Sequence, residues 1–168
     1  MSADRTSYID GMRRLAAGVT IVTTGSVPER FGLTATAVTS VSADPPTLLV
    51  CINRDSDSFH PILRHRRFGV NLLGPAHAEL AGRFGGLFAE SGEPRFAVGP
   101  WVEGAHGVPL LEDAPASFEC ELETVHDGAS HGILVGRVLK VTTHDTGSPL
   151  LWVGGALAVP APFQPKAG

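Results

Sequence analysis

The chain has 168 residues and a formal net charge of −4, from 13 Lys and Arg against 17 Asp and Glu. This length fits one domain with a sizeable core, and the mildly acidic balance, without a basic stripe, argues against nucleic acid or an anionic membrane as a partner. The 20 Gly and 13 Pro are typical of short strands joined by turns. We expect a single domain over residues 1–168, with its core at about 7–157 and a flexible tail at 158–168.

The N-terminus and the cysteines indicate a reducing compartment. Residues 1–6 lack the apolar core of a signal peptide, and no apolar run is long enough to span a bilayer. Cys51 and Cys120 lie in separate strand-like runs, where cysteines are commonly reduced and buried. The 7 histidines have no H-x-H, H-E-x-x-H or Cys/His ligand spacing, so no metal site is predicted. These features predict a cytoplasmic protein.

The first half of the chain predicts a helix and then strands separated by short helices. Residues Ser7 to Ala16 have helical spacing, which would turn Ile9, Met12 and Leu15 inward. The other elements predicted here are, in order, strands at Val19–Thr24, Phe31–Ser42 and Thr47–Ile52, a polar turn at Asn53–Ser58, a helix at Ser58–His65, a strand at Phe68–Leu73 and a helix from Pro75 to Phe84.

The second half predicts a long loop and a β-hairpin. Residues 87–107 are rich in Gly, Pro and Glu, which is typical of a surface loop, and whether this loop is a lid is left open. A strand at Ala116–His126 alternates apolar residues with Glu119, Glu121 and Glu123, so these glutamates are expected on a solvated face. The remaining elements are a turn at Asp127–His131 and strands at Ile133–Thr143 and Pro149–Val153. Without β-α-β alternation, this order favours an antiparallel barrel with peripheral helices.

The predicted strand Phe31–Ser42 carries hydroxyl groups along one face. Alternation puts Thr34, Thr36, Val38 and Ser40 on the same side. Short hydroxyls and alanines would let a flat, polar-edged ligand lie close to the backbone. The same pattern also fits a sheet surface on which Thr simply packs well. Periodicity alone leaves both interpretations open.

Three sequence blocks carry a resemblance to a known family. They are Gly18-Val-Thr-Ile-Val-Thr-Thr24, Gly32-Leu-Thr-Ala-Thr-Ala-Val-Thr-Ser-Val-Ser42 with Asp44-Pro-Pro46, and Gly128-Ala-Ser-His-Gly-Ile-Leu-Val-Gly136. Together they resemble the flavin reductase-like family, the short-chain NAD(P)H:flavin oxidoreductases that partner two-component monooxygenases. The resemblance implies a mainly β, FMN-binding split β-barrel of Greek-key topology with two or three peripheral helices. It also implies a homodimer with the flavin near the subunit interface.

The resemblance further implies which residues meet the cofactors. The implied flavin-contacting residues are Thr34, Ala35, Thr36, Ala37, Val38, Ser40, Val41, Cys51, Asn53, Arg54, Ser56, Ser58, Arg83 and Phe84. Arg54 and Arg83 would serve the phosphate, whose geometry suits a guanidinium fork, although both also fit ordinary solvated arginines. The implied nicotinamide-contacting residues are His131, Trp152 and Gly155. Leu157 departs from the pattern, because relatives commonly have an aromatic residue there.

The implied activity is NAD(P)H-dependent reduction of FMN or FAD, with the reduced flavin passing to a separate flavin-dependent monooxygenase. Hydride transfer from nicotinamide C4 to flavin N5 needs two stacked rings rather than a general base, so no catalytic acid or base is assigned, and His131 would position and polarise. Two other functions fit the same residues: a flavin-binding or carrier protein without reductase turnover, and a split-barrel oxidase with tightly bound FMN. The sequence leaves open FMN against FAD, NADH against NADPH, and the identity of the monooxygenase.

Overall fold

The computed structural model describes residues 3–145 and 147–163, and this part of the chain is mainly β. Its α-helices are α1 (Arg5–Met12), α2 (Phe59–His65) and α3 (Ala78–Phe84), with 3₁₀ turns at Pro75–His77 and Glu93–Ala97. Its strands are β1 (Ala17–Gly18), β2 (Thr20–Ser26), β3 (Glu29–Ala35), β4 (Val38–Ala43), β5 (Pro46–Asn53), β6 (Arg67–Leu72), β7 (Trp101–Glu103), β8 (Pro109–Leu111), β9 (Ala116–Gly128), β10 (His131–Thr143), β11 (Leu151–Val153) and β12 (Ala156–Ala158).

One antiparallel sheet organises the molecule. Its seven strands run in the order β3-β2-β6-β9-β10-β5-β4, and the long β9–β10 hairpin supplies its centre. Strands β1, β11 and β12 form a smaller sheet, and β7 pairs with β8. The prediction of a mainly β fold with few peripheral helices is confirmed. None of the helices in the described ranges is long and apolar enough to cross a membrane.

The large sheet curls, so that distant strands share one core. Ile21 and Val22 are adjacent on β2, so they point to opposite faces, and both are fully buried. Val22 packs in the same cluster as Val50 of β5, although three strands separate β2 from β5 in the sheet. On the opposite face, Ile21 packs with Leu80 and Phe84 of α3. The curled sheet therefore has one core inside it and a second core beneath α3.

The predicted single strand Phe31–Ser42 is wrong, because the chain forms two strands there. β3 pairs with β2 at one edge of the sheet, and β4 pairs with β5 at the other. The two residues between them, Thr36 and Ala37, turn the chain, and the Ala37 carbonyl accepts a hydrogen bond from the Cys51 amide at 2.9 Å. Local β propensity is the same on both sides of this turn, so only the pairing partners reveal it.

Helix α1 is shorter and more exposed than its spacing predicts. It begins after Asp4, whose carboxylate accepts hydrogen bonds from the Thr6 and Ser7 amides, and it ends at Met12. Ile9 is half-buried, but Met12 and Leu15 are exposed. The prediction that these side chains face inward is therefore wrong for Met12 and Leu15.

The prediction that Glu119, Glu121 and Glu123 form a solvated row is wrong for Glu119. Glu121 and Glu123 are partly exposed on β9, whereas only 1% of Glu119 is accessible. The connection between β7 and β8 covers Glu119, and the His106 amide donates to its Oε2 at 2.6 Å.

Residues 87–107 are not a structureless loop, since they contain a 3₁₀ turn and β7. Of the predicted tail, Ala158 lies in β12, and residues 164–168 lie outside the described residues.

Candidate active site

A cavity of about 350 Å³ opens between the end of β3, helix α3 and the β11–β12 hairpin. Thr34 and Thr36 lie on one side of it, and Trp152 and Leu157 lie on the other. The remaining lining residues are mostly small and come from α3, from the residues that follow it, and from the start of the sheet: Val19, Ala78, Ala81, Gly82, Gly85 and Leu87. Because Ala and Gly present little side chain, a ligand in this cavity can approach the helix backbone closely.

Helix α3 carries small residues that sequence reasoning missed. Ala78, Ala81, Gly82 and Gly85 recur at helical spacing, so they form one stripe along the face toward the cavity. Such a stripe is visible in the sequence as A-x-x-A-G-x-x-G. The Thr34 hydroxyl donates to the Ala81 carbonyl at 2.7 Å, which fixes β3 against this face.

The predicted flavin segment 34–41 is divided between two depressions. Thr34 and Thr36 line the cavity described above, whereas Val38 and Ser40 line a separate groove of about 340 Å³ beside β5 and β10. Ala35 is buried and Val41 is exposed. Cys51, half-buried on β5, lies behind the Thr36–Ala37 turn through its amide hydrogen bond.

Three predicted residues meet at the end of β5 and β10. Asn53 and His131 are paired across the two strands, and both are exposed. The Arg54 guanidinium donates to Asp127 Oδ1 at 2.9 Å and to the His131 carbonyl at 3.3 Å, and it stacks over the Phe59 ring at 5.6 Å. The structure therefore brings Asn53, Arg54 and His131 together where β5 ends and β10 begins.

The polar turn after β5 is shaped by its own side chains. Asn53 Oδ1 accepts a hydrogen bond from the Asp55 amide at 3.0 Å, and Ser56 Oγ accepts one from the Ser58 amide at 3.2 Å. Ser58 is fully buried, and its hydroxyl donates to Asp57 at 2.9 Å. In this turn Asn53 and Asp55 are exposed and Arg54, Ser56 and Asp57 are partly exposed, whereas Ser58 is not accessible.

Arg83 and Phe84 face away from the cavity lining. Arg83 donates to Glu90 at 2.5 Å, lies 3.7 Å from Glu79, and covers the Phe88 ring at 5.0 Å. Phe84 is a core residue in edge-to-face contact with Phe96 at 5.1 Å. The charge of Arg83 is therefore already balanced by carboxylates of this chain.

The β11–β12 hairpin forms the aromatic side of the cavity. Trp152 lies opposite Leu157 in the hairpin, and the turn between the strands is Gly154–Gly155. Both glycines have positive φ, +65° and +82°, a conformation that other residues adopt at a cost. Gly155 thus shapes the hairpin that presents Trp152. In residues 3–145 and 147–163, no three His, Cys, Asp or Glu side chains are grouped as metal ligands would be.

The family model described as flavin reductase like domain matches residues 12–159, and the chain belongs to this family. The protein is 43% identical over 151 residues to the FMN reductase (NADH) RutF of Stutzerimonas stutzeri, covering 89% of this chain and 85% of the relative. It is 39% identical over 150 residues to the RutF of Cronobacter turicensis, covering 89% of both chains.

Solved structures give the same family. The NADH:FAD oxidoreductase SgcE6 of Streptomyces globisporus superposes with a TM-score of 0.87 at 29% identity, covering 98% of this chain and 92% of that one. BorF, the flavin reductase component of a bacterial two-component tryptophan halogenase, superposes with a TM-score of 0.85 at 33% identity, covering 93% of this chain and 98% of that one.

Proposed function

We propose that this protein is an NADH-dependent flavin reductase that releases reduced flavin to a partner monooxygenase. The observation that supports this most directly is the cavity between Thr34, Thr36 and Trp152, in a chain of the flavin reductase like family. Its volume of about 350 Å³ lies within the range of small-molecule sites, and a flat ring system fits between an indole and a wall of Ala and Gly.

The chain's own residues would bind and orient two substrates. When bound, flavin supplies an acceptor for the hydride of the nicotinamide. Thr34 and Thr36 would hold the ring and ribityl chain in this cavity, and the small-residue stripe of α3 would allow close approach. Trp152 and Leu157 would exclude water from the rings and stack against them. Positioning of this kind needs no acid or base at the reacting atoms.

The phosphate end is assigned to the turn after β5. Asn53 and Ser56 keep partial exposure there, and Arg54 supplies positive charge. Its partner Asp127 is 81% exposed, so the pair is weak and exchangeable with a phosphate. We favour Arg54 over Arg83 for direct contact, because Arg83 is held by Glu90 with 13% of its side chain exposed. His131, exposed beside Asn53, would contact the nicotinamide cofactor.

FMN and NADH are the proposed pair. The two RutF relatives, at 39% and 43% identity, are named as FMN reductases that use NADH. The structural neighbour SgcE6 is named as an NADH:FAD oxidoreductase, which makes FAD the comparison substrate.

A homodimer is also proposed. Tyr8, Met12 and Leu15 expose 62%, 46% and 60% of their surface, and Val41 and Val141 are exposed near the groove beside β5. Tyr8, Met12 and Leu15 recur at helical spacing, and an exposed apolar stripe of this kind is typical of interfaces. Sedimentation of the wild type at micromolar concentration should give the mass of two chains, and Leu15→Asp should shift it toward one. A monomeric wild type would contradict the proposal.

The deciding experiment measures NADH and NADPH oxidation with added FMN, with added FAD and without flavin. We expect turnover that requires added flavin and prefers NADH and FMN. His131→Ala should raise the KM for NADH, whereas His126→Ala, an exposed histidine on the same hairpin, should not. Flavin binding without turnover would favour the carrier function. A yellow protein that keeps FMN through dialysis would favour the oxidase.

A further inference from the structure

Asp57 is the meeting point of three parts of the fold. Its carboxylate accepts a hydrogen bond from the Ser58 hydroxyl at 2.9 Å within the polar turn. It also accepts one from the Gly92 amide at 3.2 Å and one from Arg95 at 3.3 Å. Gly92 and Arg95 belong to residues 87–97, which we call the strap. Asp57 therefore joins the turn that follows β5 to the strap.

Arg95 extends this junction to β3. Its Nη1 donates to the Gly32 carbonyl at 2.8 Å as well as to Asp57, and its Nε donates to the Glu90 carbonyl at 2.9 Å. Only 12% of the Arg95 side chain is exposed. Hydrogen bonds to a charged group in such a place are stronger than those on an open surface. Arg95 thus holds β3, the strap and the polar turn together. Its contact on β3, Gly32, lies two residues before Thr34.

A second ion pair ties the strap to β3 without reaching the turn. Arg30 hydrogen-bonds to Glu93 through both its side chain and its backbone amide, and Arg30 also covers the Phe96 ring at 4.6 Å. This pair offers a matched comparison, because it lies on the same strap and is similarly buried.

We propose that Asp57 and Arg95 are positioning residues for the phosphate end of the flavin. The inference rests on the proposed function, since it takes residues 53–58 as the phosphate turn. The junction fixes the distance between the phosphate turn, with Asn53 and Ser56, and the cavity residues Thr34 and Thr36. The phosphate and the ring of one flavin can then contact both sites at once. Asp57 acts through this geometry and not by touching the ligand.

The direction of the change in FMN affinity distinguishes a positioning role of Asp57 from charge repulsion of the phosphate. If Asp57 only repelled the phosphate, Asp57→Asn would tighten FMN binding. Positioning predicts the reverse, because the neutral amide is a weaker acceptor for Arg95. Arg95→Lys keeps the charge but lacks the fork that reaches Gly32, Glu90 and Asp57 together, so it should have the same effect.

The experiment titrates oxidised FMN and riboflavin into the protein without NADH and follows flavin fluorescence. Asp57→Asn and Arg95→Lys should each weaken FMN binding about tenfold. Riboflavin, which lacks the phosphate, should bind as it does to the wild type. Glu93→Gln should leave both affinities unchanged. In turnover assays, the KM for FMN should rise while kcat at saturating FMN and the KM for NADH stay constant.

Three results would overturn the inference: tighter or unchanged FMN binding in Asp57→Asn, an equal loss of riboflavin and FMN affinity, or the same loss in Glu93→Gln. Should Asp57→Asn fail to fold by circular dichroism, Arg95→Lys makes the same comparison. Because binding is measured without NADH, absence of turnover contradicts the proposed function alone. The ratio of FMN to riboflavin affinity decides the positioning role.

Discussion

Trp152 and Leu157 face each other across the β11–β12 hairpin, and both line the cavity whose other side carries Thr34 and Thr36. The two side chains expose 43% and 39% of their surface. The aromatic side of the candidate active site therefore depends on two three-residue strands.

The first prediction concerns this pair. Leu157→Phe should lower the KM for NADH and Trp152→Ala should raise it, each by roughly two- to tenfold, because a stacked aromatic contributes about 0.5–1.5 kcal/mol. Steady-state rates at fixed FMN measure the change. Val159→Ala, just beyond β12, serves as the control and should leave the KM as it is. If the KM for NADH were the same in both variants as in the wild type, the nicotinamide would bind elsewhere.

The second prediction concerns Gly136, the last residue of the Gly128–Gly136 block. A Cβ at Gly136 would lie 2.5 Å from the buried Phe68 ring and 3.2 Å from Cys120. Gly136→Ala should therefore lower the free energy of unfolding by about 1–3 kcal/mol in urea titrations, as overpacked cores do. Gly18→Ala meets nothing within 4 Å and should change stability little. Equal stability of the two variants would contradict the packing explanation.

The third prediction concerns buried Glu119. Its Oε2 accepts from the His106 amide, while its Oε1 is buried without a hydrogen-bond partner and lies 4.0 Å from Lys140. Glu119→Gln keeps an acceptor and should change unfolding free energy by less than about 1 kcal/mol, whereas Glu119→Ala should cost about 2 kcal/mol.

Chemical denaturation of these variants beside Glu123→Gln measures the difference. Glu123 is exposed, so its variant should be within about 0.5 kcal/mol of the wild type. If Glu119→Ala were as stable as Glu119→Gln, the hydrogen bond to His106 would contribute nothing.

The fourth prediction is a pH dependence. Burial, with a smaller effect of the Glu119 charge, raises the pKa of Cys120 from 9.0 to about 12. The unfolded thiol then loses its proton before the folded one, so this stabilisation is complete below about pH 9 and falls between pH 9 and 12, by up to about 1.4 kcal/mol per pH unit.

Comparison with Cys120→Ala isolates this effect. The stability difference between wild type and variant should shrink from pH 8 to pH 10. In the native protein at pH 8, a thiol reagent should modify half-buried Cys51 before buried Cys120. A constant stability difference would mean that Cys120 titrates normally in the folded state.

Much of the fold could be predicted from local pattern. The β9–β10 hairpin, α2 and α3 have periodicity and turn residues that specify them without distant contacts. The turn at Thr36–Ala37 could not be predicted, because the residues on both sides favour strand equally and only the pairing with β2 or β5 differs. The burial of Glu119 likewise depends on tertiary structure, because Gly104 and His106 of the β7–β8 connection cover it.

The candidate site was predictable to a similar degree. The hydroxyls of Thr34 and Thr36 could be placed on one face, and family resemblance added His131 and Trp152. The ion pair between Arg83 and Glu90 could not be predicted from residue spacing, because Glu90 lies in the strap, which follows α3. Tertiary contacts decide which charges stay available to a ligand.

The two-residue connection between β3 and β4 has a consequence for the order of folding. It joins two hairpins that are local in the chain, because β3 pairs with β2 and β4 pairs with β5 through short turns. The pairings of β2 with β6 and of β5 with β10 join residues far apart in the chain, and such contacts form late, since their loop entropy must first be offset. We therefore expect the two hairpins on either side of Thr36 to form before the central strands close the sheet between them, an order that pulsed amide hydrogen exchange during refolding measures.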